Sequence, residues 1–319
     1  MNPGRGMRYD AFRSRRVLRW CAEVEQETEG EPPPMHVFGS RRRLIRIALC
    51  ASTAALAATA LTIGGGTGAA AQLTGTPAAK SGKPTVVLVH GAWADTSSWS
   101  GELRILRRKG YAVRSIANPL LGLTSDARTV AGFLRSIPGP VVLVGHSYGG
   151  SVITNAAAQS GNVKALVYVD AAAPAVGETT GSLSGSTSAL NAPASTLFDS
   201  VPYADAPAGA ANLYLKKDVF LKSFAGSLPV QQATDLWASQ RAASSAAFST
   251  PSKYAAWKTI PSWYFISSGD RIITPESEMR MARRAGSKVT TFQGGSHLTL
   301  VSDPEPVAQV IESAVSAVK

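Results

Sequence analysis

Pro140-Val141-Val142-Leu143-Val144-Gly145-His146-Ser147-Tyr148-Gly149-Gly150 is the stretch on which the fold turns. Its first six residues form an apolar, β-branched run that reads as a buried strand, Pro140–Gly145. Residues 147–160 are Ala-rich and read as a helix, which Gly161 ends. Between them, Gly145-x-Ser147-x-Gly149 has the spacing of a nucleophile elbow. A chain that turns sharply from strand to helix puts the serine in a strained backbone conformation. Side chains two residues to either side would collide, so glycine is needed at both. The spacing alone is modest evidence in a chain with 29 Gly. The strand before it and the helix after it give it weight. The blander alternative is a Gly-rich turn carrying an inert serine.

The same alternation extends outward. Thr85–His90 reads as a buried strand ending at Gly91. Residues 97–109 are amphipathic, with Trp99, Leu103 and Leu106 on one face. Tyr111–Ala117 reads as a second strand, then Ser125–Ile137 as a helix opened by Ser125 or Asp126. Val163–Val169 is the fourth strand. The rhythm breaks over residues 172–258, which hold Gly/Ser-rich stretches, scattered aromatics and a few helical pieces, notably 229–240. It resumes with a strand (Ser262–Ile266), a helix (Pro275–Ala285), a strand (Lys288–Gln293) and a helix (Pro304–Val318) started by Ser302 or Asp303. The predicted class is α/β: a doubly wound, mostly parallel six-stranded sheet with a cap inserted after the fourth strand. Residues 72–171 and 259–319 are assigned to the core and 172–258 to the cap.

In such sheets ligands bind at the carboxyl ends of the strands. Those ends carry His90-Gly91-Ala92-Trp93, the elbow, Asp170, Asp270 and Gly294-Gly295-Ser296-His297. A serine hydroxyl needs an adjacent base to act as a nucleophile. After residue 71 only His90, His146 and His297 are available. His90 reads as shaping its turn. His146, next to Ser147, should point away from it. His297 follows the last strand, in the chain order serine, acid, histidine. The base needs a carboxylate on its other nitrogen. Asp270 is preferred, and Asp170 is the competitor, read instead as bonding backbone. Asp95 reads as a loop cap. The oxyanion donors expected are the backbone N–H groups of Ala92 and Tyr148. Trp93 and Trp237 are candidate substrate contacts, each with packing as the alternative. Leu197, Phe198, Tyr203, Leu213, Tyr214, Phe220 and Phe248 add to Trp237 an apolar set suited to a pocket or to cap core. No metal site and no cofactor is expected.

The N-terminal 71 residues differ in character. Residues 1–34 mix a basic stretch with an acidic one, end in Pro32-Pro33-Pro34, and read as a disordered extension. Residues 35–71 have the layout of an export signal: Arg41-Arg42-Arg43, an Ala-rich apolar run from Ile47 to Ile63, and Ala69-Ala70-Ala71 as the cleavage site. The paired arginines resemble a twin-arginine signal, so the expected location is secreted. A retained membrane anchor is the alternative, and Met35 is an alternative start. Both cysteines, Cys21 and Cys50, precede residue 72. The mature chain then has no disulfide and no thiol nucleophile. Its 22 Lys and Arg against 15 Asp and Glu are scattered, which argues against nucleic-acid binding. No stable membrane association is expected once the signal is gone.

Together, Val87-Leu88-Val89-His90-Gly91-Ala92, Gly145–Gly150, Ser268-Gly269-Asp270 and Gly295-Ser296-His297 resemble the α/β-hydrolase superfamily over nearly all of 83–319. The branch they look most like contains plant methyl-ester esterases and hydroxynitrile lyases. The resemblance implies Ser147, Asp270 and His297 as catalytic triad, Ala92 and Tyr148 as oxyanion hole, and 172–258 as cap. Two departures matter. The lyases typically carry threonine where Gly91 stands, and lysine after the catalytic histidine, where this chain has Leu298. Cyanohydrin cleavage is therefore not expected. Ser147 also argues against the aspartate-nucleophile epoxide hydrolases and dehalogenases of the same fold. The export signal points to a secreted bacterial relative. The function expected is hydrolysis of a small, mostly apolar carboxylic ester through an acyl-enzyme. Lactone hydrolysis or perhydrolysis on the same triad, or ligand binding with little turnover, are the alternatives.

Overall fold

The computed structural model describes residues 83–318. The expected extension (1–34), the export signal (35–71), its cleavage site and both cysteines lie outside the described residues.

Six strands form one sheet: β1 (Thr85–Val89), β2 (Val113–Ile116), β3 (Val141–Ser147), β4 (Val163–Ala171), β8 (Ser262–Ser267) and β9 (Lys288–Phe292). Their order is β2-β1-β3-β4-β8-β9, and every pairing is parallel. Five helices of nine or more residues flank it: α1 (Ser100–Arg108), α2 (Leu123–Arg135), α3 (Tyr148–Ala157), α5 (Pro275–Arg284) and α6 (Pro304–Ala317). Strands covered on both faces read as unbroken apolar runs. Accordingly Val86–Val89, Val141–Val144 and Leu166–Val169 are all buried. The outermost strand β9 exposes Lys288 to Thr291, as an edge does.

Between β4 and β8 lies a second, antiparallel sheet of β5 (Phe198–Val201), β6 (Asn212–Leu215) and β7 (Ala243–Ser244). Helix α4 (Val230–Ala238) falls within the same insertion. The sequence reading named only helical pieces here, and the small sheet is an addition. Strands of two to four residues are too short for alternation to show.

Two local expectations are corrected. β3 and β4 run two residues further than predicted, to Ser147 and Ala171, because Ser147 still pairs with Ala171 and accepts the Ala172 N–H at 3.1 Å. Helix α2 starts at Leu123 with Gly122 at the cap, so neither Ser125 nor Asp126 caps it. Asp126 instead lies in the first turn and reaches back to the N–H groups of Leu121 (3.2 Å) and Gly122 (3.3 Å). A carboxylate there also faces the positive end of the helix.

The strand order reverses direction at β1 and β3. A crevice opens at the carboxyl ends of strands on either side of such a switch point. Gly91 and Ser147 stand at those two ends.

Candidate active site

Ser147 ends β3 and precedes α3 with φ +54° and ψ −125°. A non-glycine residue in this region costs about 1–3 kcal/mol. The surrounding packing holds it there. A Cβ on Gly145 would stand 2.6 Å from the Gly149 carbonyl oxygen, and one on Gly149 would stand 2.6 Å from that of Val89. The elbow's two glycines are thus required by backbone against backbone. Gly91 is required by the site itself, since a Cβ there would meet the Ser147 Cβ at 2.6 Å.

The turn after β9 returns across the sheet to Ser147. His297 Nε2 lies 2.7 Å from Ser147 Oγ, and His297 Nδ1 lies 2.6 Å from Asp270 Oδ2. Asp270 Oδ1 accepts the N–H groups of Ile272 (2.7 Å) and Ile273 (3.2 Å). The loop bearing Asp270 is stitched to the loop bearing His297: Ser268 N–H donates to Phe292 O, Gly269 N–H to Gly294 O, and Gly294 N–H to Ser268 Oγ. The structure therefore brings Ser147, His297 and Asp270 into one buried chain of hydrogen bonds. Burial pushes the His297 imidazole down to about 3, which favours the neutral ring. A neutral ring with its proton on Nδ1, facing Asp270, leaves Nε2 to accept from the serine. Burial pushes the Asp270 carboxyl up, opposed by the Ile272 and Ile273 N–H groups.

The other candidates have separate places. His146 turns away from Ser147 and packs beneath His297, with ring centroids 4.8 Å apart. Its Nε2–H donates to the His297 carbonyl at 2.8 Å, which pins the loop that carries that ring. His90 Nδ1–H donates to Gly91 O and its Nε2 accepts from Asn118 N–H, so it shapes the turn after β1. Burial lowers it to about 4. Asp170 bonds the N–H of Ser267 at 2.7 Å and its hydroxyl at 2.9 Å, not His297. Asp95 accepts the Ser97 N–H at 2.7 Å and caps the turn Thr96–Trp99.

Tyr148 is the first residue of α3, where backbone N–H groups have no partner inside the helix. Its side chain points elsewhere, donating to Asp126 Oδ2 at 2.7 Å. Ala92 is buried and follows Gly91, the residue of the β1 turn on which an added Cβ would meet Ser147.

Trp93 is buried at φ +57°. Its ring stacks on Phe198 (5.6 Å) and Phe248 (5.2 Å), meets Phe224 edge-on (5.9 Å), and its N–H donates to Leu213 O. It also lines a small cavity, with Phe220, Phe224, Leu236, Leu298 and Val301 as apolar wall and Asp95, Ser97, Ser98, Ser239 and Gln240 on the polar side. Trp237 is not among these lining residues. Its N–H donates to Leu215 O at 3.0 Å and Lys217 lies over its ring, so it ties α4 to the cap sheet. Its neighbour Leu236 reaches the cavity because adjacent helical residues point about 100° apart. Sequence reasoning missed Phe224, whose ring lies 5.1 Å from that of His297. It belongs to a π-helical turn, Phe220–Phe224, and no periodicity marks it.

Residues 86–310 match the model of the alpha/beta hydrolase family, and the chain belongs to that family. It is 29% identical over 254 residues to the alpha/beta hydrolase nvfD of Aspergillus novofumigatus, covering 73% of this chain and 96% of the fungal one. Over 105 residues it is 34% identical to a carbendazim hydrolyzing esterase from a Nocardioides species, covering 29% of this chain and 43% of that protein. Among solved structures, polyneuridine aldehyde esterase has the same fold, with a TM-score of 0.62 at 18% identity over 73% of this chain and 99% of that one.

Proposed function

We propose that this protein is a serine esterase that cleaves small, mostly apolar carboxylic esters through an acyl-enzyme on Ser147. The observation that carries the reading is the unbroken chain Ser147 Oγ, His297, Asp270, with bonds of 2.7 and 2.6 Å. His297 takes the serine proton as Oγ attacks the ester carbon. The oxyanion that forms is met by the N–H groups of Ala92 and Tyr148, the latter at the positive end of α3. The imidazolium then gives its proton to the leaving alcohol. Water, deprotonated by the same ring, releases the acid. Asp270 keeps the imidazole in the working tautomer throughout. The esterase names of the Nocardioides and polyneuridine aldehyde relatives agree with this reading, and the small cavity, which adjoins the triad through Phe224 and Leu298 rather than being lined by it, has an apolar wall suited to an apolar acyl or alcohol group.

A fluorophosphonate with intact-mass detection, run beside a panel of p-nitrophenyl esters, tests it. One label per chain at Ser147 with turnover of short esters is expected. Labelling without turnover would favour ligand binding instead, and faster turnover of lactones would favour the lactonase alternative.

Asp95 adds a preference for uncharged substrates. Partial burial works against its charge, but hydrogen bonds from Ser97 outweigh this and hold the carboxyl below its usual range. A carboxylate on the cavity wall repels an anionic ester. p-Nitrophenyl hemisuccinate is expected to react about tenfold slower in kcat/KM than the neutral butyrate. Asp95→Asn keeps the cap, since the amide oxygen still accepts from Ser97, and should narrow that gap severalfold. An unchanged gap removes Asp95 from the specificity argument.

Export belongs to the same proposal. Expressed in a host with a twin-arginine pathway, the chain is expected in the medium with Gln72 at its N-terminus. A membrane-bound chain retaining residues 47–63 would overturn that part alone.

A further inference from the structure

Behind Asp270 lies a cluster of three buried carboxyl groups. One oxygen each from Asp170, Asp270 and Glu278 lies within 4.8 Å of the others. Asp170 comes from the end of β4 at φ +43°, Asp270 from the loop after β8, and Glu278 from the first turn of α5. Like charges this close in the interior do not all ionise, so at least one member must hold a proton.

The donors around the cluster decide which. Asp270 has three: the Ile272 and Ile273 N–H groups and His297 Nδ1. Asp170 has two, both from Ser267. Neither oxygen of Glu278 makes a hydrogen bond of full geometry among the described residues, and the one donor that faces it is the Ala171 N–H. The other polar groups packed around it are committed elsewhere. The Tyr264 hydroxyl donates to Ala171 O. The Tyr168 hydroxyl, stacked alongside, bonds Thr154. Arg284, further along α5, pairs in two contacts with Glu178 and also donates to Ala173 O. The His297 ring is occupied by Asp270 and Ser147. Burial, with Asp170 and then Asp270 adding to it and the Ala171 N–H opposing it, pushes the Glu278 carboxyl well up.

We infer that Glu278 is a positioning residue that stays protonated: it fills the space behind Asp270 as a neutral acid and leaves the negative charge on Asp270, where His297 needs it. The catalytic part of this inference rests on the triad reading above. The protonation part does not.

The sign of the pH dependence follows from linkage. A carboxyl whose folded pKa is raised binds more protons folded than unfolded. Its effect is absent below the unfolded value of about 4.3 and destabilises progressively as pH rises toward the folded value. Glu278→Gln, a neutral group of the same shape, escapes that loss. The Tm of Glu278→Gln relative to the parent should therefore climb by about 5 °C from pH 5 to pH 8. A difference that does not change with pH overturns the inference. In Glu102→Gln, which removes the other buried glutamate without hydrogen-bond partners, infrared spectroscopy should still show the carbonyl stretch of a protonated acid at neutral pH, shifted by carbon-13-labelled glutamate. If Glu278→Gln fails to fold, the band in Glu102→Gln decides alone, and its absence there overturns the inference. For the link to catalysis, Glu278→Ala should lower kcat about ten- to a hundredfold through a loosened Asp270, and Glu278→Gln should recover most of the loss. Equal impairment of both would mean that a charge on Glu278 matters. A Tm raised by added Ca2+ or Mg2+ in the parent but not in Glu278→Gln would mean that the cluster holds a cation instead of a proton. An inactive but foldable parent sinks the triad reading and leaves the thermal and infrared results standing.

Discussion

Ser147→Ala is expected to lower kcat/KM for p-nitrophenyl butyrate by about four to six orders of magnitude and to abolish fluorophosphonate labelling. Without the hydroxyl, His297 has no proton to take from the nucleophile, and the covalent route closes. What survives is attack by water against the oxyanion donors of Ala92 and Tyr148, which do not depend on the side chain at 147. Folding should be nearly untouched. The alanine inherits the same backbone at φ +54°, and the hydroxyl it lacks has one bond, to His297. A variant that keeps its Tm but loses activity separates chemistry from structure. Retention of a tenth of the activity, or labelling that persists elsewhere, would remove Ser147 from the mechanism.

Asp270→Asn is expected to lower kcat about 10³- to 10⁴-fold, whereas Asp170→Asn should keep kcat within about tenfold. The contrast follows from the donors around each carboxyl. At Asp270, Oδ1 is claimed by two backbone N–H groups. An asparagine must place its oxygen there, which turns its NH2 toward His297 Nδ1. That amide only donates, so Nδ1 must become the acceptor and Nε2 must carry the proton. The ring then cannot accept from Ser147. At Asp170 the asparagine oxygen can take the Ser267 N–H while its NH2 faces the Ser267 hydroxyl, which can accept and turn its own proton to Thr299, 2.8 Å away. The cost there is stability, about 1–3 kcal/mol for a buried polar group with altered partners. If Asp170→Asn abolishes turnover and Asp270→Asn does not, the acid is reassigned.

These two aspartates also mark where sequence reasoning stopped. Both stand at carboxyl ends of strands, and both precede His297 in the chain. Chain order and spacing left Asp170 as a competitor. Only the path of the turn after β9, zipped onto residues 268–269, aims Nδ1 at Asp270. His146 shows the same limit. That it turns from Ser147 follows from the sharpness of the elbow. That it pins the His297 carbonyl depends on a contact 151 residues away in sequence. Trp93, after the first strand, and Trp237, in the cap, were both candidate substrate contacts. One lines the cavity and the other braces the cap, a difference set by how a three-stranded sheet too short to show in the sequence packs over the core.

The stretch from Pro140 to Ser160 by itself determined the strand, the turn and the helix, and with them the strained serine. Those features are local: β-branched residues fit an extended buried run, alanines fit a helix, and only glycine leaves room for backbone beside backbone at 145 and 149. The same local rules placed most other core elements within about two residues at their ends. What only the tertiary structure decided is which groups meet. The order β2-β1-β3-β4-β8-β9 and the loops that cross it bring Ser147, Asp270 and His297 together and hide Glu278 behind them. Periodicity reports which face of an element is buried. It carries no information about which distant element covers that face, and it is there that the hydrogen bonds, the shared burial and the charge balance of this site are set.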